Sequence, residues 1–208
     1  MTHIEPLERE KMVEFEGLFV TRDGDMGFTS NSMLTMAHWP ELLKAWMTLG
    51  RATIFEPGEI PQDLKALIAF VVSLESGSRY CTAHSANHSV NKAGIAAEKI
   101  EKAFEYETNR LFSDAERAAL RVAQLGGDTN DEDFVELKKY FTDRQSVEIV
   151  AVAGFMSFLN RWNDTLAIEL EDWPRDFAQH HLASSGWEVG KHKSAKDGAG
   201  QGNNNEAN

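Results

Sequence analysis

The sequence predicts an all-α fold. Apolar residues recur at helical spacing in segment after segment, and Ser/Thr-x-x-Glu/Gln signatures open several of these segments. No alternating β-branched run is flanked by tight-turn residues, so strand signals are scarce. At 208 residues the chain suffices for one substantial domain, with two small ones as the outer limit.

Taken in order, Pro6 to Val20 places Leu7, Met12, Phe15 and Phe19 at roughly helical spacing. A turn-rich stretch, Thr21 to Ser32, separates it from Met33 to Ile54, which carries Leu34, Ala37, Leu42, Ala45, Trp46 and Leu49. Pro40 starts a helical run there, since its fixed φ suits a first turn and its missing N–H costs nothing. Trp39, Trp46 and Met47 read as a core stripe rather than a ligand box. Pro61 opens the apolar helix Gln62 to Glu75 in the same way.

Gly77 breaks the pattern, and a polar helix follows from about Arg79 to Ala93, with Gly94 suited to its C-terminal cap. Ala97 to Glu107 and Asp114 to Leu125 come next, the latter behind the capping box Ser113-Asp-Ala-Glu116. Thr129 to Glu132 and Thr142 to Gln145 repeat that signature. The last long helix is expected over Asp143 to about Leu170, with Val147, Val150, Ala151, Gly154, Phe155 and Phe158 facing inward. Arg175 to Leu182 closes the fold. Residues 1–189 are thus expected to form one helical domain, and 190–208 a disordered polar tail that has nothing to bury.

Charge excludes some functions. A net charge of -12 and a pI near 5.0 argue against nucleic acid, whose phosphates would be repelled. The longest apolar run, Leu64 to Leu74, is about half of the ~20 residues that span a bilayer. The N-terminus lacks the basic and apolar regions of a secretory signal, so a cytoplasmic protein is expected.

Chemistry concentrates in Glu75-Ser-Gly-Ser-Arg-Tyr-Cys81-Thr-Ala-His84-Ser-Ala-Asn-His88, which holds the chain's one cysteine. Sulfur and two imidazoles three and seven residues later share a helix face. A free thiol has a pKa of ~8.5, and a helix N-terminus or an imidazole lowers it. His84 is placed to accept or return a proton, and a reversal at Gly77 would bring the Glu75 carboxylate back toward them. Carboxylate, imidazole and thiol in series form a proton relay of the kind cysteine nucleophiles use. The competing reading, a small buried cysteine beside solvated histidines, stands level on spacing alone. A metal site is weaker, since zinc takes four ligands and only His180 and His181 add a tandem pair. No cofactor is expected. Arg161, Trp162 and Asn163 read as packing or pairing positions.

Several stretches carry a family likeness: Ile60-Pro-Gln-Asp-Leu-Lys65, Ser78-Arg-Tyr-Cys81-Thr-Ala-His84, Gly94, Leu111 to Leu120, Phe141 to Val150 and Phe158 to Leu166. In order and spacing they resemble the carboxymuconolactone decarboxylase-like family, which includes the alkyl hydroperoxidase AhpD. The likeness covers most of residues 33–170. It implies an AhpD-like helical bundle that assembles as a homo-oligomer, from dimer to hexamer.

Peroxidase members of that family use a Cys-x-x-Cys pair, the second cysteine attacking peroxide and the first resolving it. Cys81 matches the attacking cysteine, and Ser78 stands at the resolving position. The family histidine falls on Ser85, while His84 fits the Cys-x-x-His form of some relatives. The relay glutamate falls on Ala66, leaving Glu75 as its candidate replacement. The resemblance therefore implies a peroxidase-like thiol oxidoreductase with an antioxidant role. It would reduce a hydroperoxide or another small molecule through Cys81, with His84, Glu75 and His88, and be restored by an external thiol. The alternatives are a non-catalytic oligomer that keeps the fold, and a decarboxylase of a carboxylated lactone, for which Arg79 is the only basic residue in the motif.

Overall fold

Ten successive residues, Leu64 to Ser73, are buried in one helix, and the other elements are arranged around it. The computed structural model describes residues 2–20 and 28–194. The longer helices are α1 (Asn31–Met36), α2 (Pro40–Gly50), α3 (Gln62–Glu75), α4 (Arg79–Asn91), α5 (Ala97–Glu101), α6 (Asp114–Leu125), α7 (Asp131–Leu137), α8 (Asp143–Leu166) and α9 (Asp172–Leu182). No strand occurs among the described residues. Helix α3 is apolar on nearly every face because α4, α6 and α8 all pack on it, and α9 covers α4. Burying side chains such as Leu67, Ile68 and Phe70 contributes about 1.5–3 kcal/mol each before entropy is counted.

Local signals set most helix starts. Pro40 occupies the first turn of α2, and the capping boxes Ser113/Glu116 and Thr142/Gln145 are both formed. The box at α7 is one residue later than expected, with Asn130 and Asp133 as partners. Thr129 is already spent, its hydroxyl donating to the Gly126 carbonyl at 3.0 Å. Gly94 takes the left-handed φ of 74° that ends the α4 segment.

Several expectations are corrected. Between Pro6 and Val20 the chain forms 3-10 turns at Arg9–Lys11 and Val13–Phe15, with a helical segment only over 16–20. The N–H groups of His3 and Leu7 donate to the carbonyls of Leu166 and Leu34, so the backbone there is tied to other elements. The expected turn stretch 21–32 falls partly on 21–27, outside the described residues, and Asn31 already begins α1. In the stripe read as core, Trp46 and Met47 are buried while Trp39 is 61% exposed.

Helix α8 is turned relative to the expected face. Val147, Val150 and Phe158 are exposed, and Ser146, Glu148, Ile149, Val152, Met156, Asn160 and Asn163 are buried along with Phe155. The inward face carries polar groups with buried partners, so hydrophobicity alone pointed to the wrong side. The helix ends at Leu166, where Ala167 adopts a left-handed φ of 48°.

The last correction concerns the tail. Gly190–His192 form a 3-10 turn, and His192 is fully buried. Its Nδ1 lies 2.6 Å from the Ile168 carbonyl, and its own carbonyl accepts from the Leu170 N–H. A polar composition hid one buried anchor. Residues 195–208 of the expected tail lie outside the described residues.

Candidate active site

Gly77, at φ 67°, reverses the chain after α3 and lets α4 begin at once. Ser78 caps the new helix, its Oγ accepting from the Cys81 N–H at 3.4 Å. Cys81 therefore sits in the first turn of α4, against α3 and α8, with 3% of its surface exposed.

The sulfur has a polar neighbour on another helix. Asn163 on α8 donates Nδ2–H to Cys81 Sγ at 3.2 Å. Ser32 on α1 donates its hydroxyl to Asn163 Oδ1 at 2.6 Å, which fixes the amide with its N–H toward sulfur. The Ser78 hydroxyl donates to Asp164 Oδ1 at 3.0 Å, and His192 Nε2 lies 3.0 Å from the same oxygen. Ser85, at the position the resemblance gives to a histidine, turns back and donates to the Cys81 carbonyl.

His84 lies one turn after Cys81, stacked on Tyr80 with ring centroids 4.5 Å apart. Its Nε2 is 2.6 Å from Glu171 Oε2. A carboxylate only accepts, so Nε2 carries the hydrogen and Nδ1 is the basic nitrogen of the neutral ring. Glu171 Oε1 accepts from the Tyr80 hydroxyl at 3.0 Å and from the Asn31 N–H at 2.5 Å.

Burial dominates the electrostatics. It pushes the Cys81 thiol up to about 12, against the hydrogen bonds from Asn163 and Ser78, which favour the thiolate, while the charges of Asp164 and Glu171 disfavour it. The resting sulfur is thus a thiol at neutral pH. Burial also opposes ionisation of Glu171, but His84 and the Asn31 N–H outweigh it and hold the carboxyl below its ordinary range. Asp164 follows the same pattern, with His192 and Ser78 outweighing burial. Burial, then the neighbouring Glu171, keeps Tyr80 protonated well above the usual phenol range.

Cys81, His84 and His88 line one cavity of about 100 Å³. Its lining includes an aromatic cluster: Trp46 stacks on Phe155 at 5.7 Å, and Phe55 meets both edge-on at 6.0 Å. Ala66, at the position the resemblance gives to a glutamate, is one of the small side chains that line this space.

Glu75 is elsewhere. It is exposed at the end of α3, and its carboxylate accepts from Gln124 Nε2 at 2.8 Å. The carboxylate on His84 is Glu171, and the groups that sequence reasoning missed are Glu171, Tyr80, Ser32 and the site role of Asn163. Only Asn163 left a signal, a polar residue inside an otherwise apolar helix. Arg79 donates to the Gly186 carbonyl at 3.0 Å, away from these groups. Among the described residues no three His, Cys, Asp or Glu side chains converge as a metal would require.

Known proteins share this arrangement of helices. The profile of the Carboxymuconolactone decarboxylase family matches residues 40–125. A cysteine-to-alanine variant of the debrominase Bmp8, solved in complex with 2,3,4-tribromopyrrole, is 31% identical with a TM-score of 0.80. The match covers 86% of this chain and 97% of that one.

The chain belongs to the carboxymuconolactone decarboxylase family.

Two more distant likenesses show the family's AhpD-like fold alone. One is an AhpD-core peroxidase-related protein from Ralstonia eutropha, with 21% identity, a TM-score of 0.72 and coverage of 86% and 95%. The other is a peroxidase-related protein from Silicibacter sp., with 20% identity, a TM-score of 0.71 and coverage of 80% and 90%. Among curated proteins no match of significance was found. No helix among the described residues is long and apolar enough to cross a membrane.

Proposed function

We propose that the protein is a single-cysteine, thiol-dependent oxidoreductase that reduces a small, largely apolar molecule. The observation that carries this reading is one sulfur on a cavity with an aromatic cluster, with an oriented donor on it and a histidine–glutamate pair on the same cavity. His84 Nδ1 takes the Cys81 proton as substrate displaces water, and Asn163 offsets part of the cost of burying the thiolate.

With a hydroperoxide, the thiolate attacks the distal oxygen. The S–O bond forms, the O–O bond breaks, and the departing alkoxide takes the proton from His84. Cys81 is left as sulfenic acid. One external thiol displaces water to form a mixed disulfide, and a second releases Cys81 as a thiol with an external disulfide. Peroxide reduction is the family-level form of this reading.

A second substrate reading is a halogenated heteroaromatic ring. It is favoured by the aromatic cluster and by the 31%-identical debrominase whose complex holds a tribromopyrrole. Sulfur would then attack the halogen, the ring carbon would keep the bond electrons and take the proton from His84, and two external thiols would release halide and a disulfide. The decarboxylase alternative lacks support, since Arg79 is engaged with Gly186.

Reducing thiols are maintained in the cytoplasm, which suits a cytoplasmic enzyme. The exposed residues Val147, Val150 and Phe158 on α8 support a homo-oligomer. The test supplies dithiothreitol with cumene hydroperoxide or with 2,3,4-tribromopyrrole and follows alcohol or bromide release. Turnover of either that is lost in Cys81→Ser supports the reading. Turnover of neither by the parent protein sinks it and leaves the non-catalytic alternative.

A further inference from the structure

His192, in the turn Gly190–His192, is fully buried, and both of its ring nitrogens face oxygen. Nδ1 lies 2.6 Å from the Ile168 carbonyl, and Nε2 lies 3.0 Å from Asp164 Oδ1. A carbonyl only accepts, and so does a carboxylate. Burial opposes ionisation of Asp164, but the bonds from His192 and Ser78 hold its carboxyl below the ordinary range. Either neutral form of the ring would therefore leave one lone pair against an oxygen. Only the imidazolium has a hydrogen for each. As pH rises and the ring gives one hydrogen up, one of the two contacts turns repulsive, so this arrangement belongs to the protonated ring.

Charged and titratable groups reach the ring from each element packed on it. Asp164 comes from α8. From α4, the Tyr80 ring stands 5.6 Å away, stacked on His84 and with its hydroxyl given to Glu171. Arg79 sends its guanidinium to the Gly186 carbonyl, and its Cγ would lie 3.8 Å from a Cβ on Gly190. Glu169 sits between Ile168 and Leu170, whose backbone groups bond to His192. Within the turn, the charge of Lys191 acts on Asp164 alongside the ring.

The connections from this ring end beside the sulfur. Asp164 Oδ1 also accepts the Ser78 hydroxyl at 3.0 Å. With its single hydrogen committed there, Ser78 Oγ turns a lone pair to the Cys81 N–H at 3.4 Å and caps α4. The C-terminal segment is tied to the same helix start a second time, since the Trp187 indole donates to the Arg79 carbonyl at 3.1 Å.

We propose that His192 is a positioning residue of the cysteine site: as an imidazolium it holds the Asp164 carboxylate, and through it the Ser78 hydroxyl, at the start of the helix that carries Cys81. The proposal rests on the reading of Cys81 as the reacting sulfur. The ring is not part of the cavity lining, so it acts through its neighbours. It fixes the direction of the Ser78 hydroxyl. It also offsets the charge of Asp164, which after burial is among the influences that oppose a Cys81 thiolate.

The test needs no substrate, so its failure is read apart from a failure of turnover. In the full-length protein with ¹⁵N-labelled histidine at about pH 6, the His192 ring, assigned through its contact with Tyr80, is expected to carry hydrogens on both nitrogens. Alkylation of Cys81 by iodoacetamide at fixed pH reads the sulfur. His192→Gln leaves the Asp164 carboxylate without its imidazolium and should slow alkylation about threefold or more. Combining it with Asp164→Asn removes that charge and should restore most of the rate. Thermal midpoints show which variants are folded. In Asp164→Asn alone the new amide can donate to Nε2, so the ring should lose its second hydrogen at a lower pH than in the parent, which decides the matter if His192→Gln does not fold. A single ring hydrogen in the parent at about pH 6, an unchanged rate in folded His192→Gln, or an unchanged pH of loss in Asp164→Asn overturns the proposal. So does a lost rate that the second substitution fails to restore, which would leave the ring only a packing role.

Discussion

Asn163 Nδ2 stands 3.2 Å from Cys81 Sγ and donates to it, so α8 supplies a polar contact made directly to the sulfur on α4. The amide is not free to turn away, because the Ser32 hydroxyl is bonded to its oxygen. The donor therefore stays in place whether the sulfur is thiol or thiolate, and it favours the thiolate.

Asn163→Ala is expected to slow alkylation of Cys81 by iodoacetamide about tenfold or more at fixed pH, since hydrogen bonds to charged groups are worth about 1.5–3 kcal/mol. Ser32→Ala leaves the amide present but unheld, and should cost less. Equal alkylation rates in parent and Asn163→Ala, with thermal midpoints showing both folded, would contradict this role.

The pH dependence of the sulfur follows from burial. With the thiol pushed up to about 12 from an ordinary 9.0, its alkylation rate should still be climbing above pH 9. Between those values the folded protein keeps a proton that the unfolded chain has lost. Stability therefore falls as pH rises through that window, by at most about 1.4 kcal/mol per unit. Denaturation midpoints of the parent and Cys81→Ala from pH 8 to pH 11 provide the check, and parallel curves would refute it.

Glu171→Gln should lower turnover at least about tenfold, in keeping with the usual worth of acid–base catalysis. The amide can donate to His84 Nε2, which moves the ring hydrogen to Nδ1 and removes the base. Ring ¹⁵N shifts of His84 report this directly, and a residue needed only for packing would leave them alone. Glu171 also has a depressed carboxyl, so its contribution to stability is present above the ordinary carboxyl range and lost as pH falls through the lower folded value. The parent should lose more stability on acidification than Glu171→Gln.

Removing Lys65 takes the nearest cation from the buried Glu148 carboxylate and leaves it with Arg144 at 3.3 Å. Lys65→Met is expected to cost about 3–5 kcal/mol in urea denaturation, and Lys65→Met combined with Glu148→Leu should recover most of it. Failure of the double substitution to recover would place the cost in the lost contacts to the Glu56 carbonyl and the Glu59 N–H instead of the lost ion pair.

Helical content and most helix starts were readable locally, because capping boxes and first-turn prolines act within four residues. Cys81 and His84 were readable for the same reason: their spacing places both on one face of α4. Glu171 lies 87 residues from His84 and comes from the start of α9, and no periodicity links the two. Glu75 looked closer because it is near in sequence. The reversal at Gly77 instead leaves it exposed and bonded to Gln124 on α6. On α8 the buried face includes Ser146, Glu148, Asn160 and Asn163, so the polarity that serves Lys65 and Cys81 disguised the inward side. His192 was hidden in the same manner, one anchor within a polar run.

Ser78 has a kinetic consequence. It stands at the position that the family resemblance assigns to a resolving cysteine, and its hydroxyl donates to Asp164. Once oxidised, Cys81 has no intramolecular partner with which to close a bond. On the single-cysteine function proposed above, the lifetime of the oxidised protein then depends on encounter with a solute, and the observed rate should grow with thiol concentration. Where thiol is scarce, the oxidised form accumulates, and the proportion of protein in that form becomes a readout of how reducing its surroundings are.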